Sequence, residues 1–249
     1  MTVCITTFKH RFDTYFKPLL AQIKAIAPDI EVIVLINGEN KEKFDETFRK
    51  KMLLFLADYT NVFPVFFPEF RGLSKLWNTG LIHSTSNEVL LLNDDLTIYN
   101  HNLFRSIHQI YEAGYQESFK INGSWSHVVL NKQHIVDMDL WFNEKLLGIG
   151  EEDGFFEWKY EMARKTQFKS YNIGGITNHV DMSHNPTNTV TVPQGKYSKL
   201  NGEVMLSDIF EYDEENGVQL GMYPHPVVIR ETTPQYPNEK FFRENRDRL

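Results

Sequence analysis

Two adjacent carboxylates, Asp94 and Asp95, follow a run of three leucines in this 249-residue chain. With Asn93 they form an Asn-Asp-Asp turn at the end of an apolar segment. Charges placed there are costly to desolvate unless a cation neutralises them. A divalent ion shared between a carboxylate and diphosphate oxygens would do so, because Mg2+ and Mn2+ take hard oxygen ligands. The structural alternative is a solvated turn with an aspartate capping the next element. A second acidic group, Glu151-Glu152-Asp153, follows Gly148-Ile149-Gly150 at the head of an amphipathic segment. The glycines allow a tight turn, and the acids sit at the positive end of the helix that follows. A carboxylate held ionised there can accept a proton from an incoming hydroxyl. A plain acidic first turn is its structural alternative. The glycine spacing is one residue off a dinucleotide-binding loop and follows no strand, which excludes that reading. His179 and His184, in ITNHVDMSHNP, are the candidates for a late metal ligand. His179 is preferred, since His184 precedes Pro186 in loop-like sequence.

The elements that must position these groups are legible from periodicity. Residues 3–7 and 31–36 are apolar runs of the kind that form buried parallel strands, and residues 61–67 and 89–92 repeat the pattern. Between them, Phe16, Leu19, Leu20, Ile23 and Ile26 recur at helical spacing, as do Phe44, Phe48, Met52 and Leu56. Leu73, Leu76, Trp77 and Gly80 line one face of a shorter helix. Strand alternating with helix predicts an α/β fold, an open, mostly parallel twisted sheet with helices on both faces. Ligands of such sheets bind beyond the carboxyl ends of the strands. That places Thr6, Thr7, Phe8, Asn37 and Asn93–Asp95 in view. After about residue 115 the alternation weakens, with strands expected at 126–130 and 168–173 and a helix at 151–164. Pro, Asn, Thr and Gly become frequent from Asn178, and residues 230–249 form a charged terminal segment.

Composition narrows the class. A formal charge of −7 with scattered acids disfavours a nucleic-acid partner, whose phosphates it would repel. The aromatic share of 14% is high; much of it must be core, and exposed aromatic rings are also what clefts use to stack on sugar rings. One cysteine, Cys4, permits no intrachain disulfide and fits a reducing compartment. No apolar stretch reaches the length of a membrane span, and no signal peptide precedes the first strand. A cytoplasmic protein is expected, with peripheral membrane association left open.

Taken in order, these segments resemble the family 2 glycosyltransferases of the GT-A fold. The clearest match is Gly72-Leu73-Ser74-Lys75-Leu76-Trp77-Asn78-Thr79-Gly80, beside the family's G-x-S-x-A-R-N-x-G. An apolar strand and an acidic signature follow at the family's spacing, with Asn93-Asp94-Asp95 in the acidic position. Residues 128–160 resemble the acceptor-side block, including the Phe142-Asn143-Glu144 turn and the Glu-Asp motif. The likeness spans roughly residues 2–180. It implies one GT-A domain over 1–229, with a nucleotide-sugar-binding half to about residue 97 and an acceptor half to 229. It implies a nucleotide-sugar donor, a UDP-sugar first among them, a carbohydrate or glycoconjugate acceptor, and Mn2+ or Mg2+ as cofactor.

By the same resemblance Thr6, Thr7 and Phe8 lie near the donor base, Asp94 faces the ribose, and Asp95 ligates the metal beside Asn93 and His179. Asp153 would be the catalytic base, supported by Glu152, and Trp141 would stack on the acceptor sugar or belong to the core. Three departures stand out. Asn37 replaces an acid that contacts base or ribose, Trp77 replaces an arginine, and Asn93 replaces the first aspartate of the signature. The phosphate-binding cation must then be Arg11, Arg71 or Lys75. No side chain is placed to form a covalent glycosyl intermediate, so inversion by single displacement is expected. Two rival readings remain. A sugar-phosphate nucleotidyltransferase would need a glycine-rich loop where this chain has Thr7-Phe8-Lys9-His10-Arg11. A non-catalytic carbohydrate- or nucleotide-binding protein on the same fold would neither hydrolyse a donor nor bind nucleotide diphosphate with Mn2+.

Overall fold

The computed structural model describes residues 1–38, 44–146 and 152–178. The apolar runs become strands β1 (Thr2–Phe8), β2 (Glu31–Asn37), β3 (Val62–Phe66) and β4 (Glu88–Asn93). β1 lies parallel between β2 and β4, and β3 pairs parallel with β2 on the outer side. Helices α1 (Lys17–Ile26), α2 (Glu46–Leu56) and α3 (Leu73–His83) make the crossovers. A 3-10 turn (Lys9–Arg11) and a π-turn (Phe12–Phe16) lead from β1 into α1. Asp45 caps α2 by accepting from the Phe48 N–H at 3.1 Å.

The second half adds β5 (Leu96–Ile98), α4 (Asn102–Glu112), β6 (Phe119–Ile121), β7 (Ser124–Asn131), α5 (Lys132–Asp137), α6 (Glu152–Arg164), β8 (Ser170–Tyr171) and β9 (Ile176–Asn178). The main sheet has seven strands in the order β3-β2-β1-β4-β7-β6-β8, and β5 pairs with β9 in a separate ribbon. β7 runs antiparallel to β4 and to β6, so the sheet is mixed but mostly parallel in its first half. The expected strand over 168–173 narrows to Ser170–Tyr171. β5, β6, β9 and α4 are additions to the sequence reading.

Side chains alternate through the sheet into two cores. Val3, Ile5, Val32, Val34, Leu90 and Leu92 pack on one face with α1, α2 and α4. Cys4, Ile33, Leu35, Val89 and Leu91 pack on the other with α3 and α6. Strands buried on both faces read as continuous apolar runs, which is why periodicity finds them. α3 sits close on the sheet because Gly80 has no side chain. A Cβ there would lie 3.0 Å from both Cys4 Sγ and Leu35 Cδ1.

The direction of α6 follows from its contacts. Near its last turn Arg164 Nε donates to Glu117 at 2.9 Å, and the Tyr160 hydroxyl donates to the same carboxylate at 2.8 Å. Glu117 precedes β6, whose start pairs with the late part of β7, and β7 ends opposite Glu88 at the start of β4. The carboxyl end of α6 therefore lies where the parallel strands begin. At 1.5 Å per residue the helix runs about 20 Å back along the sheet. Glu157 accepts from Trp125 Nε1 at 3.0 Å, and Trp125 stands just beyond the β7 residue that pairs with Leu92. The helix thus opens, with Glu152 and Asp153, toward the carboxyl ends of β1 and β4.

Candidate donor site at the carboxyl ends of the parallel strands

Phe8, Asn37, Phe66 and Asn93 end the four parallel strands on one edge, as the α/β argument requires. The acidic turn after β4 is buried, with Asp94 1% and Asp95 2% exposed. Two isolated carboxylates could not ionise there. The neighbour that resolves the problem is Arg11, from the turn after β1. Its Nη1 donates to Asp94 Oδ1 at 2.8 Å, and its Nη2 donates to Asp95 Oδ2. The Thr7 hydroxyl donates to Asp94 Oδ2 at 2.7 Å. Thr6 reaches the Asn93 side-chain oxygen at 3.4 Å. The guanidinium also lies over the rings of Phe8 and Tyr15, at 5.7 and 5.3 Å from their centroids. Thr6, Thr7, Phe8, Arg11, Asn93, Asp94 and Asp95 are thus one constellation.

Burial pushes the Asp94 carboxyl up to about 7, against the pull of Arg11, with the Asp95 charge adding to the rise. Arg11 loses part of its charge preference to burial and regains more from the two aspartates, so it stays protonated. With both aspartates ionised, one guanidinium between two carboxylates leaves the turn one positive charge short of neutral. The oxygen donors are of the kind a hard divalent ion takes. Among the described residues no three His, Cys, Asp or Glu side chains gather into a metal cage. Such an ion would therefore draw further ligands from phosphate oxygens or from residues outside the described ones. The donor set fits Mn2+ or Mg2+ in kind, and Arg11 already engages one Asp95 carboxylate oxygen.

Asn37 has a task within the protein itself. Its Nδ2 donates to the Arg71 carbonyl at 2.9 Å, and its Oδ1 accepts from the Arg71 N–H at 2.8 Å. An amide makes both bonds; a carboxylate can make only one. Next to it Gly38 presses on the same segment, where a Cβ would meet Phe67 O and the Glu69 carbonyl carbon at 2.6 Å. Asn37 and Gly38 thus fix the 67–71 segment that leads into α3. Arg71 pairs with Glu69 at 3.3 Å, and Lys75 pairs with Glu144 at 2.9 Å. Of the three candidate cations, Arg11 is the one whose ion pairs reach the acidic turn.

Trp77 is core. It is buried, with ring centroids 4.9 Å from Phe142 and 6.3 Å from Trp125, in a cluster that includes Phe156 and Phe168. An arginine there would lack a counter-ion among these rings. Asn78, one position on, joins the two halves of the molecule. It donates to the Phe142 carbonyl at 2.9 Å and to Glu144 at 3.0 Å, and accepts from the Phe142 N–H at 3.0 Å. Trp141 is half-buried against the same core.

Glu152 is buried and Asp153 half-buried in the first turn of α6, with Asp153 Oδ1 accepting from the Gly154 N–H at 2.7 Å. Glu157, which sequence reasoning passed over, accepts from Lys120 at 2.7 Å as well as from Trp125. His179 and His184 lie outside the described residues.

No protein-family model and no curated protein matches the sequence. Solved structures do match in shape. TarS from S. aureus, solved over its residues 1–349 with UDP-GlcNAc, superposes with a TM-score of 0.51 at 14% identity, over 89% of this chain and 76% of that one. Against a longer TarS chain the match covers 69% of this chain but 35% of that one. The mannosyltransferase PcManGT from Pyrobaculum calidifontis, solved with GDP-Man and Mn2+, gives 0.53 at 13% identity, over 69% and 53% of the two chains. Among the described residues no helix is long and apolar enough to cross a membrane. At these identities the shared property is the fold, a GT-A-like one.

Proposed function

We propose that the chain transfers a sugar from a nucleoside-diphosphate-sugar, a UDP-sugar in the first instance, to a hydroxyl of a carbohydrate or glycoconjugate acceptor. The observation that carries this is the buried Asp94–Asp95 pair at the carboxyl edge of a GT-A-like sheet, two carboxylates facing a single guanidinium. Such a pair suits a donor that brings a cation with it. A bound Mn2+ or Mg2+ would offset negative charge growing on the leaving diphosphate. Asp95 and Asn93 would hold it. His179 is the proposed later ligand, as the family resemblance implies.

The protein's own groups would do the rest. Thr6, Thr7 and Phe8 close the base side, and Asp94 faces the ribose. Asp153, at the positive end of α6, removes the acceptor hydroxyl proton as that oxygen attacks the anomeric carbon opposite the diphosphate. Glu152 holds that turn in place, and Trp141 borders the acceptor. Single displacement inverts the anomeric centre.

Thermal-shift titration with UDP, GDP and other nucleoside diphosphates, with and without Mn2+, tests donor binding. Ligand that binds only the folded state raises the melting temperature. A shift with one diphosphate that grows with Mn2+ is expected. No shift with any of them would refute donor binding.

A further inference from the structure

The Arg11 guanidinium lies on the oxygens a cation would need. Three of the four carboxylate oxygens of Asp94 and Asp95 are already engaged, two by Arg11 and one by Thr7. Arg11 is itself buried and bracketed by Phe8 and Tyr15. Its Nε finds no hydrogen-bond partner among the described residues, an unusual state for a buried donor.

Charge counting shows what this arrangement admits. With both aspartates ionised, the turn holds two carboxylates and one guanidinium, a net charge of −1. A divalent ion alone would take it to +1, and the doubly charged diphosphate of a nucleotide-sugar alone to −3. Both together leave it at −1. A buried pocket resists a change of net charge, so it accepts the pair more readily than either member. With the ion on Asp95, the displaced Nη2 and the unpartnered Nε gain phosphate oxygens as acceptors, in the forked geometry that suits arginine.

We infer that Arg11 is an internal counter-ion that closes the acidic turn to a divalent cation alone and opens it when the cation arrives with a diphosphate. This rests on the donor-site reading proposed above. Arg11 then acts as a positioning and selectivity residue, making metal and diphosphate binding mutually dependent. Linkage requires that dependence to be reciprocal.

The experiment is a titration of Mn2+ alone, followed by free-ion electron paramagnetic resonance and calorimetry, on the wild type and on Arg11→Gln. It is repeated with saturating UDP and with GDP. Wild type is expected to take up Mn2+ weakly alone and at least about tenfold more tightly with a diphosphate. Arg11→Gln is expected to bind Mn2+ alone at least about tenfold more tightly than wild type, and to lose most of the gain from diphosphate. Equal affinity of both proteins for Mn2+ alone overturns the inference. If Arg11→Gln fails to fold, the wild type still decides, because tight Mn2+ binding without diphosphate overturns it too. A stronger Mn2+ site in Arg11→Gln, with no diphosphate binding to either protein, would uphold the Arg11 competition and sink the donor reading instead.

Discussion

Replacing Asn37 by aspartate restores the acid that the resembled family carries there, and the structure makes the outcome specific. The Asn37 amide both donates to and accepts from the backbone of Arg71, in a buried position. Asn37→Asp keeps the acceptor, loses the donor, and faces a carboxylate oxygen toward the Arg71 carbonyl. The lost bond is worth about 1 kcal/mol, and a buried group left unsatisfied adds about 1–3 kcal/mol. A loss of roughly 2–4 kcal/mol is therefore expected at pH 7. A protonated carboxyl can donate again, so the pKa of the introduced carboxyl should lie above its unfolded value of about 3.9. The destabilisation is then full above that folded pKa and shrinks as pH falls through it. Asn37→Ala loses both bonds but carries no such pH dependence. Urea unfolding read by fluorescence of the core tryptophans, at about pH 7 and about pH 4.5, compares each variant with wild type. An aspartate variant as stable as wild type, or one whose deficit does not change with pH, would refute the stitching role. If Asn37 instead served mainly to contact the donor, stability would hold and nucleotide affinity would change.

Asp153→Asn should lower single-turnover rates by roughly 10² to 10⁴-fold while leaving nucleotide affinity near wild type. Retained activity there, with loss in Glu151→Gln or Glu152→Gln, would move the base to a different carboxylate. Asn78→Ala should cost about 2–4 kcal/mol in urea unfolding, because it leaves the buried N–H and carbonyl of Phe142 without partners. A loss under about 0.5 kcal/mol, the size of an ordinary surface change, would show that the 142–144 turn is held by other contacts. His127 is 2% exposed, neither ring nitrogen has a partner among the described residues, and burial lowers its pKa from 6.5 to about 4. In the unfolded chain it protonates below 6.5 and in the folded protein only near 4. It should therefore remove about 3 kcal/mol of stability between those values as pH falls. Subtracting the pH profile of His127→Phe from that of wild type isolates the effect, and parallel profiles would contradict it.

The first four strands and three helices are legible because both faces of the sheet are buried and the crossovers keep helical period. The short strands Leu96–Ile98 and Ile176–Asn178 have too few residues for any period to show. α4 did carry a signal, Leu103, Ile107 and Tyr111 four residues apart, now buried on one face. The acids of the site were found because a buried strand ends abruptly in charge. The partners of those acids were harder to see. Arg11 reads as one of several cations, and only the fold carries it to residues more than eighty positions away. Asn37 and Trp77 read as departures from a family pattern. In the structure one stitches the start of α3 and the other joins an aromatic cluster drawn from four distant segments. Pairings across such separations depend on the sheet order, which no local pattern encodes.

Diffraction from a crystal grown with UDP and Mn2+, recorded at the manganese edge, would locate the cation on which the proposed chemistry depends. The expected map shows one anomalous peak within coordination distance, roughly 2.0–2.3 Å, of an Asp95 carboxylate oxygen, bridged to the diphosphate at the carboxyl ends of β1 and β4. Nucleotide bound elsewhere, or a diphosphate seated with the metal away from the Asn93–Asp95 turn, would contradict it.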